Sequence, residues 1–275
     1  MPKISLLISN FNNGQYFKDC FKSLVSQTEE DWEAIIIDDC STDDSISQIE
    51  VCIGVDARFR FYKNERNMGY QRSTIRAIEL SEAPILARLD PDDALRPTAL
   101  EKTLQVHAEN ESVGLVYSNF TWCDANLVSI RDHQAVQIDT PYEEAYYNFK
   151  GEISHFAAFK KIFYKQTSGI DPFIKRAEDK DLYMKLCEVA PVKHINESLY
   201  LYRIHEMGMS TNVNVDRAFY WHWVALVKMS ERTGTNLEDL FLAHFTRKDL
   251  VKRVKKSRWA KLGHCLGLFK TYKDL

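Results

Sequence analysis

The chain has 275 residues, 45% apolar and 27% charged, so it can bury a sizeable core and does not belong to the disordered class. Its net charge of −3 gives no global case for nucleic-acid binding. With ten glycines and neither G-x-G-x-x-G nor G-x-x-x-x-G-K-[ST], it lacks the glycine loops that cradle dinucleotides and ATP. The apolar run after Lys3 is too short for a signal peptide, and no run approaches a membrane span. Cys20, Cys40, Cys52, Cys123, Cys187 and Cys265 form no C-x-x-C pair and read as reduced thiols of a cytoplasmic protein. Charge is unevenly spread. From Arg247 to Leu275 there are ten Lys/Arg and two Asp, which leaves a net −11 on the preceding residues.

In chain order, Lys3 to Ile8 reads as a short strand. Phe17, Cys20, Phe21, Leu24 and Val25 then recur at helical spacing. Ala34 to Ile37 is a buried strand running into Asp38-Asp39, and Ser41 to Asp44 offer caps for the next helix. Phe59 to Tyr62 is a third strand, followed by a helix over Tyr70 to Leu80. Ile85 to Leu89 is a fourth strand ending at Asp90, Pro97 opens another helix, and Val113 to Tyr117 is a fifth strand. This alternation predicts an α/β fold with a mostly parallel sheet and helices on both faces.

From about residue 119 the alternation stops. Asp124-Ala125-Asn126 reads as a turn between extended segments, and Ile153 to Phe159 is apolar and precedes a helical stretch. Ala177 to Cys187 is helical, Leu199 to Arg203 a late strand, and the chain from about Asp216 helical. Three parts follow: 1–118, 119–212 and a basic helical extension over 213–275.

Ligands of parallel sheets bind beyond the carboxyl ends of the strands, and the polar clusters lie there. Three carboxylates in Asp90-Pro91-Asp92-Asp93, directly after an apolar strand, repel one another unless a cation joins them. The segment is either a site for Mg²⁺ or Mn²⁺ or an acidic turn with capping aspartates. Asp38-Asp39 either caps a helix or reads a ribose hydroxyl or the imino group of a base. Phe11 is either core or a stacking surface. Arg72, Arg76 and Arg88 are available to pair with phosphates or with the acidic strand ends.

Taken in order, these segments resemble the family 2 glycosyltransferases, which have the GT-A nucleotide-sugar fold. The opening Lys3 to Asn12, the Ser-x-x-x-Q-T-like stretch Leu24 to Thr28, and Glu33 to Asp44 (with Cys40 where Gly is commoner) carry the resemblance. So do Asn67-Met68-Gly69, Asp90-Pro91-Asp92-Asp93 with Pro97, Ala177 to Leu182 as an E-D-x-x-L motif, and Tyr202-Arg203-x-His205 followed by Ser210.

The resemblance implies an inverting transfer of a sugar from a nucleoside-diphosphate sugar, with UDP favoured, to a hydroxyl of a saccharide or lipid-linked saccharide. Ser9, Phe11, Asp38 and Asp39 would hold the base, with Arg76 and Asp90 also on the nucleotide. Asp92 and His205 would hold Mn²⁺ or Mg²⁺, and Asp179 would be the catalytic base. Glu178 and His155 would meet the acceptor. Read from the residues alone, Tyr142, Tyr146, Tyr147, Phe149, His155 and Phe156 either offer stacking faces to a sugar or pack in the core, the core being the expected place for most of them. Leu250, Val251, Val254, Leu262, Cys265, Leu266 and Phe269 fall near helical spacing among basic residues, around Trp259. That is the pattern of a helix lying on the inner face of a membrane, or of one packed on the acidic body. Two other readings are a catalytically inactive nucleotide-sugar-binding protein and a metal-dependent nucleotidyltransferase or phosphohydrolase. The latter needs a glycine loop or a D-x-D-x-[TV] nucleophile, and the chain has neither.

Overall fold

The computed structural model describes residues 1–138, 151–205, 214–236, 238–239, 242 and 254–268. Two compact units are present, Met1–Leu226 and Val227–Leu275. The first holds the sheet.

Its first half follows the predicted alternation: β1 (Ile4–Asn10), α1 (Gly14–Val25), β2 (Trp32–Asp38), α2 (Ser45–Ile53), β3 (Phe59–Lys63), α3 (Tyr70–Leu80) and β4 (Ile85–Arg88). β1 and β2 are buried along their whole length, as strands covered on both faces must be. The two-residue period of a strand sorts their side chains onto opposite faces. Ile4, Leu6 and Ile8 of β1 pack with Ala34 and Ile36 against Phe17, Cys20 and Leu24 of α1 and Ile49 of α2. Leu7, Ile35 and Ile37 face the other side, in one cluster with Ala77 and Ile78 of α3. Helices on both faces thus follow from strands that present apolar side chains to both sides.

Next come β5 (Ala94–Leu95), α4 (Ala99–Glu109), β6 (Leu115–Cys123), β7 (Ser129–His133), β8 (Ala157–Lys160), α5 (Lys161–Tyr164), α6 (Glu178–Val189), β9 (Val192–Arg203) and α7 (Val215–Thr233). The second unit contains the end of α7 and α8 (Arg258–Cys265). Asp124 to Val128 is the predicted turn, joining β6 to β7.

Among the described residues nine strands form one sheet in the order β3-β2-β1-β4-β8-β6-β9-β5, with β7 on β6. The strands from β3 to β4 are all parallel. Beyond them the sheet is mixed, because β8 runs antiparallel to both β4 and β6, while β6 and β9 are parallel. The predicted mostly parallel sheet is therefore confined to β3–β4 and the β6–β9 pair. β6 also extends well past Tyr117, so the parts predicted on either side of residue 118 share one sheet.

β1 lies between β2 and β4, so the strand order reverses there and opens a crevice at the carboxyl ends of all three. One glycine serves this crevice by close approach. A Cβ on Gly14 would sit 2.4 Å from Cα of Ser45, and the Gly14 amide donates to Ser45 Oγ at 2.8 Å. Only a residue without a side chain lets the first turns of α1 and α2 approach this closely.

Candidate active site

At the end of β2 the paired aspartates part ways. Asp38 is fully buried and accepts from Asn10 Nδ2 at 2.8 Å and from the Ser41 amide and hydroxyl at 2.9 and 2.6 Å. It ties the β1 and β2 ends together, and its side chain faces inward. Asp39 turns the other way. Its carboxylate accepts from Asn64 Nδ2 at 2.7 Å and from the amides of Met68 and Gly69 at 2.8 Å each. It therefore organises the N-x-G turn, where Gly69 adopts φ 88°, a conformation that side chains disfavour. Phe11 stands 46% exposed in the same crevice wall. Ser9 Oγ lies 3.0 Å from Thr74 Oγ1 on α3. Arg76 donates to Asn64 Oδ1 at 2.5 Å and to the Lys63 carbonyl at 3.0 Å, so it supports the Asp39 partner.

The segment after β4 is held from β9. Asp93 is buried and accepts from Tyr200 Oη and the Arg203 amide at 2.7 Å each. Burial, then Asp92 and Asp90, pushes its carboxyl well above the usual range. Arg203 also donates through Nε to the Asp92 carbonyl at 2.6 Å, and through Nη2 to Asp19 at 2.9 Å. With its backbone clamped this way, Asp92 directs its carboxylate to His205, whose Nε2 is 2.7 Å from Asp92 Oδ2.

Asp90 receives Tyr70 Oη at 3.1 Å and Arg88 Nη2 at 3.0 Å. Burial raises its carboxyl pKa, against the pull of Arg88. The other terminal nitrogen of Arg88 lies 3.2 Å from Asp179 and 3.4 Å from Glu178, at the start of α6. Arg88, one of three arginines with an open role, thus pairs with acidic groups.

Ala177 turns through a left-handed φ of 60° just before α6. This sets Glu178, Asp179 and Asp181 in the first turn, where the helix dipole favours negative charge. Asp181 points inward, 2.6 Å from Lys185. Burial, then the Asp179 charge, raises Glu178 to about 8. For Asp179, burial acts upward but is outweighed by Arg88 and Lys180, and its carboxyl lies below the usual range. The two neighbouring carboxyls shift in opposite directions, which favours the negative charge on Asp179 over Glu178.

His155 is buried, stacked on Tyr200 at 4.7 Å and edge-on to Phe120 at 5.7 Å. Burial, then Arg88, pushes it down to about 3, so it stays neutral. Tyr142, Tyr146, Tyr147, Phe149 and Ser210 lie outside the described residues, as do the tail residues Leu250, Val251 and Phe269.

The structure thus joins Asp90, Glu178 and Asp179 through Arg88, and Asp92 to His205. Asp39 reaches the same cluster through Gly69 and its neighbour Tyr70. Sequence reasoning assigned no role to Tyr70, Asn64 or Tyr200, and left Arg88 open. The one available signal was the position of Arg88 two residues before Asp90, on a strand otherwise apolar. Among the described residues no group of three or more His, Cys, Asp or Glu side chains is placed to hold a metal ion.

A family model described as glycosyl transferase family 2 matches residues 5–168. Chondroitin synthase of Escherichia coli is 30% identical over 218 residues, covering 78% of this chain and 30% of that protein. The chain spans 30% or less of the length of the curated chondroitin and hyaluronan synthases it matches. Among solved structures, S. aureus TarS 1–349 in complex with UDP-GlcNAc superposes with a TM-score of 0.63 at 16% identity, over 92% of this chain and 79% of that one. The mannosyltransferase PcManGT from Pyrobaculum calidifontis, in complex with GDP-Man and Mn²⁺, superposes with a TM-score of 0.66 at 13% identity, over 99% and 82%. These structures establish the fold as that of the GT-A glycosyltransferases. The family match covers more than half of the chain and takes in the crevice from Ser9 to His155, so this chain belongs to glycosyl transferase family 2.

Proposed function

We propose that this protein transfers a sugar from a nucleoside-diphosphate sugar, UDP-sugar in the favoured case, to a hydroxyl of a saccharide or lipid-linked saccharide, with inversion. The observation that carries this reading is the cluster in which Arg88 brings Asp90 and Asp179 together while Asp92 meets His205. Phe11 offers an exposed ring to the base, and Asp39 shapes the turn beside it. Asp90 faces the ribose. Asp38 serves this site indirectly, by building the turn that presents Asp39.

Asp92 and His205 would hold Mn²⁺ or Mg²⁺: their carboxylate oxygen and imidazole nitrogen lie 2.7 Å apart, in a contact with each other that the ion would replace, and donor phosphates would supply further oxygens. When bound, the ion neutralises charge growing on the departing diphosphate. Asp179, charged at neutral pH, takes the proton of the acceptor hydroxyl. Glu178, neutral below about 8, is suited to donate a hydrogen bond to the acceptor. His155 backs the acceptor side through Tyr200.

A nucleotide-sugar panel followed by thermal shift tests this reading. With Mn²⁺, one donor at about 100 times its Kd should stabilise the fold by about 2.7 kcal/mol, and chelation should remove the effect. A chain that no nucleotide sugar stabilises is not a donor-dependent transferase.

The second unit supports contact with an anionic membrane. On and beside α8, Trp259 is 82% exposed, and Leu262, Leu266 and Leu268 are exposed among Lys255, Lys256, Arg258 and Lys261. The exposed apolar and basic side chains of α8 suit a contact at the membrane surface; no helix among the described residues is long and apolar enough to cross a membrane. The full chain should co-sediment with phosphatidylglycerol vesicles and not with neutral ones. Trp259→Ala combined with Leu262→Ala should weaken that binding by about tenfold or more, since each removes buried apolar area. Equal binding by the variant, or none by the wild type, rejects the contact.

A further inference from the structure

Arg88 stands alone on an apolar strand, with its side chain largely buried, and no bound ligand is needed to explain its contacts. One fork of its guanidinium carries Asp90, the other carries Asp179 and Glu178. Asp90 belongs to the loop after β4, while Glu178, ninety residues after Arg88, and Asp179 belong to α6. The Tyr70 ring lies beneath the guanidinium at 5.7 Å, and the Tyr70 hydroxyl holds the other oxygen of Asp90. Arg88, Glu178 and Asp179 themselves line a cavity of about 20 Å³, whose wall is otherwise mostly apolar, with Leu7, Phe159 and Leu182 among its residues. Apolar walls keep water from screening the charges.

We infer that Arg88 is a positioning residue that locks the donor-side Asp90 and the base Asp179 at one fixed separation. The inference rests on the proposed role of Asp179 as base. A planar fork can hold two carboxylates in set directions at once, whereas a lysine ammonium is a point charge that satisfies one or the other. The arrangement also has an electrostatic consequence. The groups around Asp179 are Arg88 from β4, Tyr70 from α3, Glu178, Lys180 and Tyr183 from α6, and His155 from the segment before β8. Against the upward effect of burial, Arg88 acts most strongly to hold Asp179 below the usual carboxylate range, followed by Lys180 and His155.

The test is the pH profile of kcat in Arg88→Lys and Arg88→Gln, with donor affinity measured separately by calorimetry. A base works when deprotonated, and Arg88 holds Asp179 low, so losing Arg88 must move the acid limb of kcat to higher pH. Arg88→Gln should move it by about one unit or more, the scale of an opposite charge in contact. Much of its activity loss should be recovered above the new limb. Arg88→Lys should keep donor Kd within about twofold, lower kcat by about tenfold, and move the limb part of the way. If Arg88→Gln does not fold, the limb in Arg88→Lys decides. An acid limb unchanged in every folded variant, whatever its kcat, overturns the inference. Asp179→Asn measured alongside separates the two ideas: if it keeps both activity and the acid limb, the base assignment has failed rather than the role of Arg88.

Discussion

Replacing Asp179 by asparagine is expected to lower kcat by about 10²-fold or more while leaving the fold, donor affinity and metal dependence in place. The amide keeps the size of the carboxylate and one acceptor oxygen, so the Lys180 amide that Asp179 now caps at 2.8 Å keeps a partner. What disappears is the group that removes a proton, and general-base catalysis contributes typically about 10²–10⁴-fold. Three acids crowd the first turn of α6, and a helix-dipole account makes them interchangeable, at about 0.3–1 kcal/mol of stability each. The geometry breaks that equivalence. Asp181 is fully buried on Lys185, and Glu178 is neutral at pH 7 because burial and the Asp179 charge raise it to about 8. Only Asp179 is both charged and partly open. Asp179→Asn should therefore cost far more turnover than Glu178→Gln. In the wild type the acid limb should fall below the ordinary aspartate range, because Arg88 stabilises the charged form. Turnover of Asp179→Asn within a few-fold of wild type, with an acceptor the wild type uses well, would discard the assignment.

Asp92→Asn should weaken Mn²⁺-dependent donor binding by about tenfold or more, which is about 1.4 kcal/mol or more of binding energy. A hard cation requires the full charge of its carboxylate ligand, and an amide oxygen supplies only a partial one. The loop itself should survive, because it is held elsewhere: Asp93 accepts from Tyr200 and Arg203, and the Asp92 carbonyl, unchanged in the variant, accepts from Arg203 Nε. Calorimetry with donor, in Mn²⁺ and again in chelator, separates the outcomes. Loss confined to the Mn²⁺ arm is the expected result. Wild-type Mn²⁺ dependence in the variant would move the ion away from Asp92.

Much of the first half was legible because local pattern and tertiary role coincide there. Ala34 to Ile37 is apolar throughout and Ile4 to Ile8 is apolar except for the buried Ser5, which donates to Glu33, and such strands are stable only with both faces covered. The helices between them carry one apolar stripe each. Carboxylates directly after such strands mark the carboxyl edge of a sheet, so the candidate residues Asp39, Asp90 and Asp92 stood out before any coordinates. The E-D pair at 178–179 was visible only as a motif.

What the chain order does not contain is which distant groups meet. Asp38 and Asp39 are adjacent and chemically identical, and only the pleat, with the loops around it, sends one inward to Asn10 and the other to the Gly69 turn. β8 is a short apolar segment whose antiparallel insertion between β4 and β6 depends on pairing partners, not on its own composition. Arg88 reads as one of three unassigned arginines until β4 and α6 are brought side by side, and Tyr200 as a strand residue until β9 passes beneath the aspartate loop. Periodicity and strand-end chemistry are local and survive in the one-dimensional chain. The choice of partner for a buried charge is made by whichever opposite charge or hydrogen-bond donor the packed sheet brings within about 3 Å.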